Sequence, residues 1–281
     1  MKCLDERGED YMEYWNGEDS RIYFVHGKDN IPFHTVIFPA ILAGLGIKRP
    51  NIREISSEYM KLEGKNFSAV KNWALWPDYL LEKYNVDLIR YYLLNNGPET
   101  KDTDFTWKSF VNTNNNELVG LFGNLINRVL AFVNKNFDGQ IPKGSVDKKF
   151  KDEMFNVYCN VGDNIEEGNF KKSLEYIFSL IKKANKYFDE EKPWVNIKKD
   201  KQKCAESMYT CIQIIANLSN LLEPFMPFAC EKIRGFLGIK NPVWMPIEIK
   251  EGKIDKLEIL FERIDKNIIE EELVRLKDKK N

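Results

Sequence analysis

The stretch NNELVGLFGNLINRVLAFVNKN, residues 115–136, settles the class of this chain. Leu118, Leu121, Phe122, Leu125, Val129 and Phe132 recur in it at helical spacing. At about 100° per residue they fall within about 60° of one meridian, the stripe of a helix packed on a core. With Leu118 at zero, Asn124 falls at about 240° and Arg128 at about 280°, one turn apart on the flank of that stripe. Further periodic stretches run at about Phe150–Asn164, Phe170–Phe188 and Lys201–Leu222. Pro224 and Pro227 then redirect the chain into a last bundle helix near Phe228–Leu237. Short polar connections imply antiparallel neighbours. Val243–Ile249 is predicted to be extended by its prolines, and Ile254–Lys280 to be a charged, weakly amphipathic tail.

Working outward, Arg21–Val25 (Arg-Ile-Tyr-Phe-Val) has the β-branched and aromatic content of a short buried strand. His26–Asn30 reads as a turn and Phe33–Leu45 as a buried helix. Strand, glycine-containing loop and helix make half of a βαβ unit, and ligands in open α/β sheets sit beyond such strand ends. The other half is not apparent, so the sheet is expected to be incomplete. The fold class is therefore mainly α with a partial α/β part.

At 281 residues the chain has a prior of about two domains. Hydrophobic residues at 43% and charged residues at 30% exclude disorder throughout. Lys+Arg 42 against Asp+Glu 43 gives a net charge of -1, so any polyanion site must be a local patch. The longest apolar run, Val36–Ile47, contains Pro39, Gly44 and Gly46 and falls short of a bilayer. No membrane partner is expected. Met1–Arg7 turns acidic at once without an apolar signal region, which predicts a cytoplasmic protein. Cysteines 3, 159, 204, 211 and 230 form no Cys-x-x-Cys pair, so no metal site is expected.

The motif Gly27-Lys28-Asp29-Asn30-Ile31-Pro32-Phe33-His34 resembles the methionyl-tRNA synthetases. The likeness continues through Trp76–Leu81, Asp87–Leu93, Asp104–Trp107, Gly123–Arg128 and Lys192-Pro193-Trp194, nearly the whole chain in the family's order. The resemblance implies the remnant of a Rossmann-type class I catalytic domain over residues 1–106. A helical anticodon-binding bundle over 107–240 and an extension over 241–281 would follow. Class I synthetases place a His-Ile-Gly-His loop in the first half of the sheet, whereas the two histidines here, His26 and His34, lie in no such tetrad. By the family's layout the chain is expected to begin after that half.

The family's second ATP signature, Lys-Met-Ser-Lys-Ser or Lys-Phe-Ser-x-Ser, aligns with Asn66-Phe67-Ser68-Ala69-Val70. Asn66, Ala69 and Val70 then stand where Lys, usually Lys, and Ser belong, with Lys65 and Lys71 as nearby substitutes. Loss of a preorganised charge of this kind costs about 2.7–4 kcal/mol of barrier. No catalytic residue is therefore expected intact, and methionine activation by the chain alone is expected to be negligible. No cofactor is expected for the isolated chain; ATP, and with it Mg, would bind only if a complete site were assembled.

Resemblance places Asp29 by the adenosine ribose and His34 at the methionine pocket, with Gly27 allowing close backbone approach. The alternatives are a turn at Gly27, a helix cap at Asp29 and a core histidine at His34. By the same resemblance Asn124, Arg128 and Trp194 read the CAU anticodon. An amide and a guanidinium suit base edges and an indole suits stacking, the usual means of reading single-stranded RNA. The alternatives are a helix-flank amide, a surface charge and a loop anchor following Pro193. Gln140–Lys203 carries 14 lysines and 11 acidic residues, and its lysines at 148, 149, 151, 198, 199, 201 and 203 are candidates for phosphate contacts or for a solvated helix face.

Three functions stay open. The first is a chain that binds tRNA(Met) by the anticodon stem-loop. The second is one piece of a split methionine–tRNA ligase completed by a separate N-terminal half, since an incomplete sheet leaves an edge that needs cover. The third is a tRNA-independent homo-oligomeric interaction protein.

Overall fold

The computed structural model describes residues 3, 6–254 and 257–277. Met1, Lys2, Leu4 and Asp5 of the acidic N-terminal stretch, and positions 255, 256 and 278–280 of the tail, lie outside the described residues. Among the described residues no helix is long and apolar enough to cross a membrane. The chain divides into two compact units, residues 1–61 with 97–104 and residues 62–96 with 105–281.

In the first unit, α1 (Tyr11–Asn16) starts at Asp10, whose carboxylate accepts from the Met12 amide at 2.8 Å. Strand β1 (Ile22–Gly27) leads through a single 3-10 turn, Lys28–Asn30, into a helix that opens with a π-turn at Phe33–Ile37 and continues as α2 (Phe38–Gly44). His26, expected in the turn, is thus still in the strand. The missing half of the βαβ unit is present: β2 (Ile52–Ser57) runs parallel to β1, with Ile22 opposite Ile52 and Gly27 opposite Ser57. Arg53, Glu54, Ser56 and Ser57 dilute the apolar signal of β2, which is why its sequence did not read as a strand. Phe24 packs on Phe38 with ring centroids 5.7 Å apart, and Trp15 meets Phe38 edge-on at 6.3 Å. Much apolar surface stays open, including Val25 at 71% exposure and Val36, Ile41 and Leu45.

The chain enters the second unit within β3 (Met60–Leu62) and again within β5 (Thr103–Phe105), in a sheet of order β4-β3-β5. Glu63 and Gly64 both take positive φ, 48° and 75°, which turns β3 tightly into β4 (Lys65–Asn66). Helices α3 (Pro77–Lys83) and α4 (Val86–Asn95) follow, the latter capped by Asn85, whose side chain accepts from the Asp87 and Leu88 amides. Tyr84, Tyr92, Phe105, Trp107 and Phe110 form one aromatic core with centroid separations of 5.0–5.7 Å.

A single long helix then runs from Trp107 to Asn136: α5 (Trp107–Thr113), a π-helical stretch Asn114–Gly123, and α6 (Asn124–Asn136). The uniform helix expected from residue 115 is therefore corrected. The wider π turns rotate less per residue, so the buried stripe of the α6 half is Leu125, Ile126, Val129, Leu130 and Val133, while Phe132 is only half-buried. Helices α7 (Lys148–Glu166), α8 (Phe170–Glu191), α9 (Pro193–Lys199), α10 (Lys201–Leu221) and α11 (Pro227–Leu237) complete the bundle. All of these, and α6, pack against α10, which is buried on nearly every face.

Because α10 is enclosed, its polar side chains need partners, and they find them in the C-terminal extension. Asn217 donates to Ile247 O at 2.9 Å and accepts from Ile247 N at 2.9 Å, and Gln213 does the same with Ile249 at 2.7 Å in each direction. These side-chain amides imitate a β-ladder along Ile247–Ile249, whereas the extended run expected over 243–249 is corrected at Trp244 and Met245, where the chain bends. Asn115 repeats the device with Ile264 at 2.8 and 2.9 Å, and Asn114 donates to Glu262 O at 2.8 Å. The tail ends in α12 (Ile268–Lys277), which packs on α5. Glu272 of α12 is fully enclosed and accepts from Tyr79, Tyr84, Lys83 and Arg275 at 2.6–2.8 Å.

Candidate nucleic-acid interface

Lys192 ends α8 with a left-handed backbone, φ 43°, and Pro193 starts α9. Trp194 is consequently the second residue of a short helix and not a loop residue, a correction that follows from proline's suitability for a first helical turn. The turn lifts the indole to the surface at 48% exposure. Its ring centroid stands 6.1 Å from that of Phe188, at an interplanar angle of 53°. Over the same Phe188 ring, 4.6 Å from the centroid, lies the guanidinium of Arg128. Arg128 also donates through Nη2 to Asp189. Phe188 is buried on α8 and supports a cation and an indole at once.

Asn124 lies one turn before Arg128 on α6, so the two side chains share a face. It is exposed, standing further from the buried stripe than a uniform helix would set it. Arg128 and Asn124 also line a cavity of about 970 Å³ between the Val119–Arg128 part of the long helix and residues 257–263. Lysines 198, 199, 201 and 203 are exposed beside Trp194, although Lys203 pairs with Glu191 at 3.5 Å. Phe188, Asp189 and the cavity wall are features that the sequence did not reveal.

The other candidates lie elsewhere. In the first unit Gly27 closes β1 with φ -73°, and no protein atom lies within 4 Å of where a Cβ would stand. Asp29 caps no helix; its carboxylate accepts the Tyr59 hydroxyl, and that bond holds the phenol above its ordinary range. His34 is stacked on His26 at 4.5 Å and tilted against Phe24 at 4.9 Å. Nε2 of His26 lies 3.2 Å from Glu54.

In the second unit the signature segment is a small closed turn: Ser68 and Trp73 exchange both backbone hydrogen bonds at 2.9 Å. Asn66 ends β4, Phe67 and Ala69 are exposed, and Val70 at the tip is 100% exposed. Lys65 rests over the Trp73 ring at 4.5 Å, and Lys71 extends from the exposed tip. Among the described residues no group of three or more His, Cys, Asp or Glu could hold a metal ion.

Comparison with known proteins gives two family matches in tandem. Residues 1–130 match the tRNA synthetases class I (M), and residues 140–274 match the anticodon binding domain of methionyl tRNA ligase. A methionine–tRNA ligase of Bacillus cereus is 46% identical over 272 residues, covering 97% of this chain and 50% of that protein. Methionine–tRNA ligase 1 of Alkaliphilus oremlandii is 46% identical, covering 96% and 50%. A crystal structure of free Mycobacterium tuberculosis methionyl-tRNA synthetase is 25% identical with a TM-score of 0.80, covering 94% of this chain and 53% of that one. The chain thus spans about half the length of the curated relatives it matches.

Proposed function

The chain belongs to the methionyl-tRNA synthetase family, and on that premise we propose that it binds tRNA(Met) through the CAU anticodon. Trp194 stacks an unpaired base, Arg128 and Asn124 hydrogen-bond base edges, and exposed lysines of α9 and α10 meet phosphates. One observation carries the reading: Arg128 and Trp194, 66 residues apart, lie against the same Phe188 ring, and Trp194 keeps an exposed face. Core tryptophans such as Trp107 are fully enclosed. A half-exposed indole beside a guanidinium is a stacking platform for single-stranded RNA. The protein would act in the cytoplasm, where tRNA is.

The same reading holds methionine activation by the chain alone to be negligible. Val70 stands fully exposed where the signature has serine, and Lys65 is engaged with Trp73. The test is binding of labelled tRNA(Met) at two salt concentrations. Affinity should fall steeply between about 50 and 200 mM salt, and Trp194→Ala should cost about 1–3 kcal/mol. Equal binding of wild type and variant across anticodon changes would rule the reading out.

A second reading rests on the open apolar surface of the first unit. Parallel sheets are covered on both faces, yet Val25 is 71% exposed. On this reading the chain is one piece of a methionine–tRNA ligase whose His-Ile-Gly-His half covers that surface, and ATP with Mg binds only to the assembled site. Methionine-dependent ATP–pyrophosphate exchange on adding that half would support it, and absence of exchange in every reconstitution would contradict it.

A further inference from the structure

The cavity of about 970 Å³ beside Asn124 and Arg128 has a second wall made of the C-terminal segment 257–263. Asn127 joins Asn124 and Arg128 on the α6 side, and Glu258, Glu262 and Arg263 stand on the other. The volume is at the top of the range of about 300–1,000 Å³ usual for pockets that enclose a small ligand. Two arginines and two glutamates balance, and Glu258 lies 3.5 Å from Lys232. A phosphate site would carry a cationic excess; this groove mixes donors and acceptors, which is what base edges require. The side chains of Asn124 and Asn127 make no hydrogen bond, and that of Arg263 no ion pair, among the described residues. The backbone on either side of Arg263 is held, because Asn114 and Asn115 clamp the main chain of Glu262 and Ile264, and this fixes where its side chain starts.

We infer that segment 257–263 is the second wall of the anticodon groove and that Asn127 and Arg263 are specificity-determining residues within it; the inference rests on the anticodon reading above. The test uses the full chain and fluorescein-labelled RNA hairpins carrying a CAU loop or one of its single-base replacements. Asn127→Ala and Arg263→Ala should each weaken the CAU hairpin by about tenfold or more and narrow the preference for CAU over the replacements. Both side chains are exposed, so thermal melting should be unchanged. Arg263→Lys keeps the charge and loses the fork, so it should keep the salt slope and lose the preference.

If both alanine variants bind every hairpin as wild type does while Trp194→Ala loses binding, the groove assignment is overturned and the anticodon reading stands. A loss that is uniform across all hairpins also overturns the assignment, because it shows no base readout. If the wild-type chain binds no hairpin, both fall together.

Discussion

Phe188 has no polar atom, yet the arrangement of the interface depends on it, since Arg128 and Trp194 are each placed by its ring. Phe188→Leu is close to volume-conserving and should cost under about 1.5 kcal/mol in urea unfolding. It removes the flat support, so tRNA binding should fall with Trp194→Ala and Arg128→Ala while the fold survives; binding at the wild-type level would contradict this role. The Arg128–Asp189 pair is partly solvated, with side-chain exposures of 32% and 56%. Asp189→Asn should therefore leave stability within about 0.5 kcal/mol and tighten RNA binding, because a base edge no longer competes with a carboxylate. Arg128, Asn124 and Trp194 were singled out through the family resemblance of their motifs, but Phe188 was not. In sequence it is one apolar position of α8 among several, and its contact with residues 60 positions away on α6 exists only after packing.

At the scale of elements, the C-terminal extension is tied down by buried amides more than by a hydrophobic stripe. Asn217→Ala would take the side-chain partner from both backbone groups of the half-buried Ile247, so a loss of about 1 kcal/mol is expected. The extension should then show faster amide exchange near residues 243–249 before the bundle does. Glu272 governs α12. Burial alone would raise its pKa, but hydrogen bonds from Lys83, Tyr79, Tyr84 and Arg275 outweigh burial and hold it below the ordinary 4.5. A depressed carboxylate contributes stability above the unfolded-state value and loses it as pH falls through the lower folded-state value. Exchange protection of residues 268–277 should thus be full above about pH 5 and collapse in acid, and Glu272→Gln should abolish that acid step. Helices α7, α8, α10 and α11 were legible because their apolar periods are regular. The π geometry of 114–123 was not, because its apolar residues also fit an ordinary helical period and the buried Asn114 and Asn115 amides show their role only where they clamp Glu262 and Ile264. Strand β2 was hidden for the opposite reason, being polar where its partner is apolar.

At the scale of the whole molecule, the bundle unit encloses a large apolar core, whereas the βαβ unit carries open apolar residues on β1 and α2. The double substitution Val25→Ser with Leu45→Ser should lower binding of a hydrophobic dye without lowering the unfolding temperature, since both side chains are exposed. A drop in unfolding temperature would show that they contribute to the core. The resemblance read from the motifs and the family matches name the same family; in the matches Asn124 and Arg128 fall within 1–130, the tRNA synthetases class I (M), and Trp194 falls within 140–274, the anticodon binding domain of methionyl tRNA ligase. What the account claims above all is that this bundle reads three unpaired bases. The most direct measurement is competition, at one fixed salt concentration, between a CAU hairpin and hairpins with the same stem and permuted loops. The account expects the CAU hairpin to win by at least about tenfold, with Trp194→Ala erasing the preference. Equal competition by all loops, with Trp194→Ala indistinguishable from wild type, would contradict it.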